Sequence, residues 1–256
     1  VNYSKREEVG HISDIKNDIA RVVFEHFNVE PINCSFTSDI FSQGSGLASS
    51  SSYMISLIKA ITIKYEKNLS DYEICKLAYH LERKFNKYSG PQDPYGCGLG
   101  GFKRLDFYKE KETEASFLPD EFFKDLDLYL MFTGISRDSK SVLKDVTKNI
   151  DSCKGLLDIV DETQRCIESF DHRGFFKLFK EGWEMKKKSS NLILNNKGLS
   201  LIDRELQDNS SVLAHKLCGA GNGGFFLVLA KPNTFKNNKK FVKITISNAG
   251  VSGRHI

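Results

Sequence analysis

Residues 44–65 read GSGLASSSSYMISLIKAITIKY, and this stretch decides the fold because a glycine–serine run passes directly into an apolar one. By composition alone, residues 44–52 resemble a flexible linker. The apolar residues that follow predict a packed helix over about 50–66, so the run is anchored at one end. Gly44 and Gly46 permit backbone angles that are closed to other residues, and a helix N-terminus carries partial positive charge. Such a loop is typical of sites that hold an anion, and the alternative is a glycine turn followed by a serine helix cap.

Length and composition restrict the function classes. A chain of 256 residues with 40% hydrophobic and 27% charged residues can form one large domain or two small ones. The longest apolar run, FFLVLA at 225–230, is far shorter than a membrane helix, and the start lacks a signal-peptide pattern. We therefore expect no membrane partner and a cytoplasmic location. The net charge of +4 is spread along the chain, which argues against a nucleic-acid partner.

The six cysteines are scattered without a CxxC pair, so we expect reduced thiols and no metal-binding role for them. They are Cys34, Cys75, Cys97, Cys153, Cys166 and Cys218.

The first half of the chain is predicted to be mainly helical. Residues 13–28 have the apolar spacing of an amphipathic helix with Ser13 as its N-cap, and residues 32–40 alternate as a strand does. Ser70 caps a further predicted helix. Residues 86–102 are rich in glycine and proline and predict an irregular loop, which is often functional inside a compact domain.

The second half combines helices with strands. The pattern predicts strands at 102–108 and 126–134, helices over 138–208, and a return to strands at 215–230 and 241–247. The chain is therefore of the α+β class, with a domain boundary expected near residues 135–150.

Two carboxylates are candidates for chemistry. Glu82 lies late on a predicted helix, where a rigid carboxylate suits a metal ion. Asp93 lies in the loop that follows, where it could act as a general base toward a substrate hydroxyl. The alternatives are a surface helix residue and a turn former beside Pro94.

A second glycine-rich segment occurs at residues 216–230, KLCGAGNGGFFLVLA. Four of its residues from 219 to 224 are glycine, whereas a plain hairpin needs only two turn residues. This composition indicates a close approach of the backbone to a ligand or to another loop.

Together and in this order, these features resemble the motifs of the GHMP kinase superfamily, which includes galactokinase, homoserine kinase and the mevalonate kinases. The phosphate loop of that family reads approximately P-x-G-x-G-L-G-S-S-A, and residues 42–51 read SQGSGLASSS. Its third motif, K-L-x-G-A-G-x-G-G, matches residues 216–224. The family also places a Mg²⁺-binding Glu eleven residues before a catalytic Asp, which is the separation of Glu82 and Asp93.

The resemblance implies a two-domain GHMP kinase fold of the α+β class. Residues 1–135 would form the N-terminal, ATP-binding α/β sandwich, incomplete at its start, and residues 136–256 a ferredoxin-like C-terminal domain.

Within the superfamily the chain is most similar to kinases of D-glycero-D-manno-heptose 7-phosphate, through GPQDPYGCGLGGF (90–102), FTGISRDSKSVL (132–143) and FKEGWEMKKKSSNLI (179–193). This likeness implies ATP-dependent phosphorylation of the anomeric hydroxyl of a heptose 7-phosphate, for nucleotide-activated heptose synthesis. ATP and Mg²⁺ are the implied cofactors, and a homodimer is one option for the assembly.

The resemblance also assigns roles to individual residues. Asp93 would accept the proton of the attacking sugar hydroxyl or orient that hydroxyl. Mg²⁺ would be held by Glu82 and by Ser50, or by Ser49 in its place. The residues expected at the ATP phosphates are Gly44, Ser45, Gly46, Leu47, Ala48, Ser49, Ser50 and Ser51. Those expected near the sugar or its phosphate are Gly90, Gln92, Thr133, Arg137, Gly219, Gly221 and Gly223.

The sequence departs from the family pattern in two informative places. It opens at VNYSKREEV without the first motif, R-x-S-F-x-G-G-G-T-D, so we expect either a fragment or a protein that has lost this segment. Ala48 stands where the phosphate loop has glycine, which matters only if position 48 needs a positive φ. Two hypotheses result: an active anomeric heptose-phosphate kinase, and a kinase-like protein that binds nucleotide or sugar phosphate without turnover.

Overall fold

The computed structural model describes residues 1–39, 44–136, 139–148 and 155–255. Its α-helices are α1 (Asp18–Phe27), α2 (Ser49–Lys64), α3 (Asp71–Glu82), α4 (Gln92–Gly98), α5 (Ser139–Lys148), α6 (Gly155–Glu168), α7 (His172–Ser189) and α8 (Lys197–Asp208). Its strands are β1 (Lys103–Asp106), β2 (Glu114–Phe117), β3 (Asp127–Phe132), β4 (Val212–Leu217), β5 (Phe225–Ala230) and β6 (Phe241–Ile244). Short 3₁₀ turns occur at Ile12–Asp14 and Asp120–Phe123. The α+β prediction is confirmed.

Helix α2 is the centre of the first half of the chain. It packs against α1, α3 and α4, and its buried residues include Met54, Ile55, Ile58 and Ile61. Burial of apolar side chains at about 25 cal/mol per Å² stabilises this packing. The helix predicted over 50–66 is confirmed, so the glycine–serine run leads into a helix with a buried apolar face.

Helix α3 begins where the sequence predicts. The Ser70 side chain accepts from the Glu73 backbone N–H, and the Glu73 carboxylate accepts from the Ser70 N–H, which completes a capping box. The last residue of this helix is Glu82.

The second half is built on a four-stranded antiparallel sheet in the order β4-β5-β3-β6. The central strand β5 is buried almost throughout, because its alternate residues enter two different apolar clusters. Phe226 and Val228 lie in the cluster that contains Trp183, and Leu229 lies in the cluster of Phe122. The predicted arrangement of strand, glycine turn and buried strand is confirmed.

The sheet takes strands from both sides of the domain boundary that the sequence predicts. Strand β3 precedes residue 135, yet it pairs with β5 and β6. The helices between β3 and β4, α5 to α8, follow the predicted boundary in the sequence.

Two predictions for the first half are wrong at the level of local structure. Helix α1 begins later than expected: its N-cap is Asn17, whose side chain accepts from the Ala20 N–H, and Ser13 lies in the preceding 3₁₀ turn. Residues 32–39 form no strand, since they make only an isolated bridge between Ser35 and Asn2. An alternating pattern gives a strand only where a partner strand offers a ladder of hydrogen bonds, and the described residues offer a single bridge here.

The segment 86–102 is also more regular than predicted. Residues Gln92–Gly98 form the short helix α4, with Pro91 at its N-cap. Proline suits a helix start because its fixed φ is compatible with the first turn and its missing N–H costs nothing there. The hairpin strand β2, which pairs with β1, is not anticipated by the sequence pattern.

Candidate active site

The first glycine loop, residues 44–48, turns the chain into α2 through alternate left-handed backbone conformations. Gly44 has φ 68° and Gly46 has φ 78°. The buried Ser45 hydroxyl, 1% exposed, accepts from the Leu47 N–H and lies 3.1 Å from the Ser49 hydroxyl. The loop is therefore ordered by its own serine side chains. The first N–H groups of α2 have no partner within the helix, so they are available to an anion.

Ala48 also adopts a left-handed conformation, with φ 56° and ψ 32° at the N-cap of α2. Position 48 thus needs the positive φ that glycine accommodates without strain. For an L-residue this region costs roughly 1–2 kcal/mol. The departure from the family pattern is tolerated at the expense of local strain.

Glu82 is buried beside the start of α2. Its side chain is 4% exposed, and its Oε2 accepts a 2.7 Å hydrogen bond from the hydroxyl of Ser51, which is 1% exposed. The alternative of a solvated surface residue is excluded for Glu82. The hydroxyl that contacts this carboxylate belongs to Ser51 rather than to Ser50, the predicted metal ligand.

Asp93 lies in the first turn of α4, where a carboxylate complements the helix dipole. It is exposed, and it lines an open cavity of about 440 Å³ together with Ala48, Gln92 and Cys97. Phe102, Lys103, Leu105 and Phe107 also line this cavity. The structure thus brings Asp93 and the end of the first glycine loop into one cavity.

The pKa of the Cys97 thiol depends on the charges around this cavity. Burial raises its pKa to about 11, and the negative charges of Asp93 and Glu82 act in the same direction while Lys103 opposes them. Both carboxylates therefore act on the same thiol. A protonated thiol at neutral pH is a poor nucleophile, so Cys97 fits no nucleophilic role.

Lys103 was not singled out by the sequence. Its Nζ donates to the Leu99 carbonyl at 2.5 Å and lies 3.3–3.4 Å from the carbonyl oxygens of Gly96, Gly100 and Gly101. A cation at this point satisfies the last carbonyls of α4. Lys103 thereby fixes the helix that carries Asp93. A lysine just beyond a glycine-rich helix end is the signal that identifies such a cap.

The C-terminal segment is a second feature that sequence reasoning missed. After β6 the chain returns to the end of α4, where the Val251 N–H donates to the Gly98 carbonyl at 2.9 Å and the Gly101 N–H donates to the Ser247 carbonyl at 2.7 Å. A Cβ at Gly100 would lie 2.4 Å from the Asn248 carbonyl oxygen, so glycine is required by this close approach. No local sequence pattern predicts a contact between segments that are so far apart in the chain.

The second glycine loop, residues 219–224, lies against the first. The Phe225 N–H donates to the Ser45 carbonyl oxygen at 3.1 Å, and a Cβ at Gly224 would lie 2.1 Å from the same oxygen. Gly221 packs against Ile193 and Gly223 against Ile135 in the same way. Positive φ angles occur at Gly219, Gly221, Asn222, Gly223 and Gly224.

Side chains from outside the second loop hold it in place. The Lys186 ammonium donates to the carbonyls of Gly219, at 2.5 Å, and of Leu217, at 3.3 Å. The Thr133 hydroxyl donates to the Gly224 carbonyl at 2.8 Å. Thr133, which the sequence analysis places near the sugar, therefore also orders the second loop through this hydrogen bond.

The remaining predicted substrate residues are dispersed. Gly90 is exposed with open space around it, and Gln92 lines the cavity of Asp93. Gly219, Gly221 and Gly223 belong to the second loop, and Arg137 lies outside the described residues.

The donor set for a cation is small. The described part of the chain holds no group of three or more His, Cys, Asp or Glu side chains that could bind a metal ion by themselves. A Mg²⁺ ion, however, is usually bound by one or two carboxylates together with substrate phosphates and water. The oxygen donors of Glu82 and of the α2 serines fit that mode.

Among the described residues, no helix is long and apolar enough to cross a membrane.

Comparison with known proteins finds a family model, relatives and solved structures that are similar to this chain. Residues 14–101 match the family model "GHMP kinases N terminal domain". The chain is 28% identical over 245 residues to D-glycero-alpha-D-manno-heptose 7-phosphate kinase of Campylobacter jejuni, covering 90% of this chain and 71% of that protein. It is 27% identical over 240 residues to mevalonate kinase of Pyrococcus abyssi, covering 90% and 68% of the two chains. Its fold is similar to the crystal structure of Lactococcus lactis galactokinase complexed with galactose, with a TM-score of 0.69, 16% identity, and coverage of 94% and 77%.

Proposed function

We propose that this chain is a kinase of the GHMP type that phosphorylates the anomeric hydroxyl of a heptose 7-phosphate with ATP as donor. The match of residues 14–101 to the GHMP kinase N-terminal domain, and the kinases among its relatives, support this proposal. The observation that carries this proposal is the cavity in which Asp93 lies beside Ala48, at the end of the loop that starts α2. The Campylobacter jejuni relative, a heptose 7-phosphate kinase by name, supports the choice of sugar.

The ATP phosphates are proposed to lie at the first glycine loop. The unpartnered N–H groups at the start of α2 and the positive end of its dipole favour negative charge there. The second loop packs directly against Ser45 and so fixes the loop's shape before nucleotide binds. Phosphoryl transfer depends mainly on placement and on neutralising charge, which a preorganised loop provides.

Asp93 is proposed to act on the sugar hydroxyl. Its place in the first turn of α4 sets its carboxylate beside the positive end of the helix dipole, which favours negative charge there. An ionised carboxylate within reach of a hydroxyl can accept its proton as the oxygen attacks the γ-phosphate. Lys103 and the C-terminal segment bind carbonyl groups at the end of α4 and so help to position the helix that carries this carboxylate.

Glu82 and Ser50 are proposed to hold Mg²⁺, which when bound would neutralise charge on the β- and γ-phosphate oxygens. The buried position of Glu82 suits this role. Burying a charged carboxylate is costly unless it is paired, hydrogen-bonded or bound to a metal ion.

The experiment is a measurement of ADP release with Asp93→Asn beside the intact chain. ATP, MgCl₂ and one acceptor are supplied: D-glycero-D-manno-heptose 7-phosphate, galactose, L-fucose or mevalonate. We expect the heptose phosphate to give the highest kcat/KM and Asp93→Asn to lower it about 10²–10⁴-fold. Asp125→Asn, which changes an exposed carboxylate away from the cavity, serves as control. Phosphorus NMR of the product identifies an anomeric phosphate.

Each outcome has a distinct meaning. Preference for mevalonate or another acceptor would overturn the heptose assignment while leaving the kinase activity intact. Equal ADP release from the intact chain and from Asp93→Asn with every acceptor would remove Asp93 from the mechanism. Nucleotide binding without ADP release would instead favour the second hypothesis, a kinase-like protein that binds without turnover.

A further inference from the structure

The contact between Ser51 and Glu82 joins the two helices that border the candidate cation site. Ser51 is the third residue of α2 and Glu82 the last residue of α3, so the hydrogen bond spans 31 positions of sequence. Both side chains are almost fully buried, at 1% and 4% exposure, and their oxygens lie 2.7 Å apart. A hydrogen bond to a charged acceptor in such surroundings is stronger than one between neutral groups.

This bond fixes the direction of the Glu82 carboxylate. The Glu82 backbone carbonyl already accepts from the N–H groups of Phe85 and Asn86, so the main chain is held. The remaining freedom lies in the side-chain torsions, and the Ser51 hydroxyl restricts them by binding Oε2. The other carboxylate oxygen, Oε1, then keeps its lone pairs for a cation.

The serines of α2 have separate contacts. The Ser49 hydroxyl pairs with Ser45 inside the first loop, and the Ser51 hydroxyl pairs with Glu82. Within the described residues, the Ser50 hydroxyl makes no hydrogen bond to protein. The family pattern G-L-G-S-S-A has alanine at the position of Ser51, and an alanine side chain could not make this bond.

We propose that Ser51 is a positioning residue for the cation site and holds Glu82 in the orientation that binds a divalent metal. This inference rests on the proposed role of Glu82 as a metal ligand. Outer contacts of this kind commonly change metal affinity 10- to 100-fold when they are removed. The hydroxyl acts through Glu82, so its loss is expected to matter only while Glu82 is a carboxylate.

The test is a titration of the full chain with Mn²⁺ in the presence of a non-hydrolysable ATP analogue, followed by electron paramagnetic resonance. Ser51→Ala is expected to weaken Mn²⁺ binding about 10-fold or more. Ser51→Thr, which keeps the hydroxyl, is expected to retain most of the affinity. The matched control is Ser56→Ala, which removes an exposed hydroxyl from the same helix and is expected to change nothing.

A double-variant comparison separates positioning from a general loss of structure. On a Glu82→Gln background, Ser51→Ala is expected to produce no further loss of Mn²⁺ affinity. A further loss of similar size would show that Ser51 acts independently of Glu82 and would overturn the proposal. Melting temperatures of all variants identify any that fail to fold.

Two other results are decisive. If Ser51→Ala binds Mn²⁺ as tightly as the intact chain while Glu82→Gln binds weakly, the positioning role is wrong and the proposed cation site stands. If Glu82→Gln itself binds as the intact chain does, the proposed role of Glu82 fails, and the role of Ser51 with it.

Discussion

The two glycine loops that meet at Ser45 reach positive φ angles in different surroundings. The first loop contains a left-handed alanine, Ala48, and is ordered by hydroxyl groups of its own serines. The second loop is ordered by groups outside it, such as the Lys186 ammonium and the Thr133 hydroxyl. A Cβ has room at position 48, where the methyl group lines a cavity, but meets backbone atoms at Gly221, Gly223 and Gly224.

The difference separates two reasons for glycine in a loop. A positive φ alone disfavours other residues by roughly 1–2 kcal/mol, which a folded chain can tolerate. A backbone atom that a new Cβ would approach to less than 3.0 Å excludes a side chain, because the neighbouring segment would have to move. Glycine in the second loop is therefore a packing requirement, whereas glycine at position 48 would be an energetic preference.

The largest change in stability is expected from Gly224→Ala. The new Cβ would lie 2.1 Å from the Ser45 carbonyl oxygen, at a residue whose φ is +91°. Overpacking and backbone strain each cost about 1–3 kcal/mol, so we expect a loss of about 3–5 kcal/mol in the free energy of unfolding. Urea denaturation measures this loss. Gly10→Ala, at a site with open space, is the control, and a change under about 1 kcal/mol in Gly224→Ala would contradict the packing explanation.

A smaller loss of stability is expected when Asp203 is replaced. This residue and its hydrogen-bond donors form the network that supports the second loop, called here the anchor. The buried carboxylate of Asp203 accepts hydrogen bonds from Trp183 at 2.8 Å, His215 at 2.9 Å and Lys187 at 3.0 Å. Two of these donors flank Lys186 on α7, the residue that holds Gly219. Asp203→Ala leaves Trp183 and His215 without this acceptor, whereas Lys187 keeps its ion pair with Glu184, and the change is expected to destabilise the protein by about 3 kcal/mol. Hydrogen exchange should accelerate in the second loop and remain unchanged at the start of α2.

The pH dependence of this effect has a defined sign. Burial acts to raise the pKa of Asp203, but the hydrogen bonds from its three donors outweigh burial and hold the pKa below its ordinary value. A carboxyl with a lowered pKa contributes stability above its unfolded pKa of about 3.9, and this contribution is lost as the pH falls through the folded value. The difference between the intact chain and Asp203→Ala should therefore be constant above about pH 5 and shrink below about pH 4.

The control for this anchor is Asp208→Ala, at the exposed end of the same helix. It should change stability by less than about 0.5 kcal/mol. Equal urea midpoints for Asp203→Ala and the intact chain at neutral pH would show that the network does not support the second loop.

The smallest change in stability is expected from Ala48→Gly, and it is a gain where the other two substitutions cause a loss. Glycine relieves roughly 1–2 kcal/mol of left-handed strain, and its greater freedom in the unfolded chain offsets about 0.4–1 kcal/mol of that gain. We expect a net stabilisation of about 0.5–1 kcal/mol, measured by urea denaturation. Ala60→Gly, at an exposed interior position of α2, should instead destabilise by about 1 kcal/mol. Destabilisation by Ala48→Gly would show that the methyl group contributes more by packing than it costs in strain.

Much of the fold follows from local patterns. The capping box at Ser70 and the apolar run after the first glycine loop predict α3 and α2, because these signals act within one or two turns. Residues 32–39 and α4 were mispredicted because a strand depends on a distant partner and because a proline can begin a short helix.

For the candidate site, the sequence singled out the two loops, Glu82 and Asp93, and the resemblance to GHMP kinases linked them through their order and spacing. It could not identify Lys103 as the cap of α4, the return of the C-terminal segment to Gly98, or the pairing of Ser51 with Glu82. The last two contacts join segments far apart in the chain, which no local periodicity encodes. The Lys103 contact is local, but it depends on α4, which the sequence pattern did not predict.

The sequence by itself therefore determined which residues are available for chemistry, since residue type and spacing are local properties. Only the tertiary structure decided how they are used: it buried Glu82 against Ser51, exposed Asp93 in a cavity and required a left-handed alanine at position 48. The physical reason is that burial, close approach and hydrogen-bond partners depend on elements distant in sequence, and these determine the charge and orientation of each group.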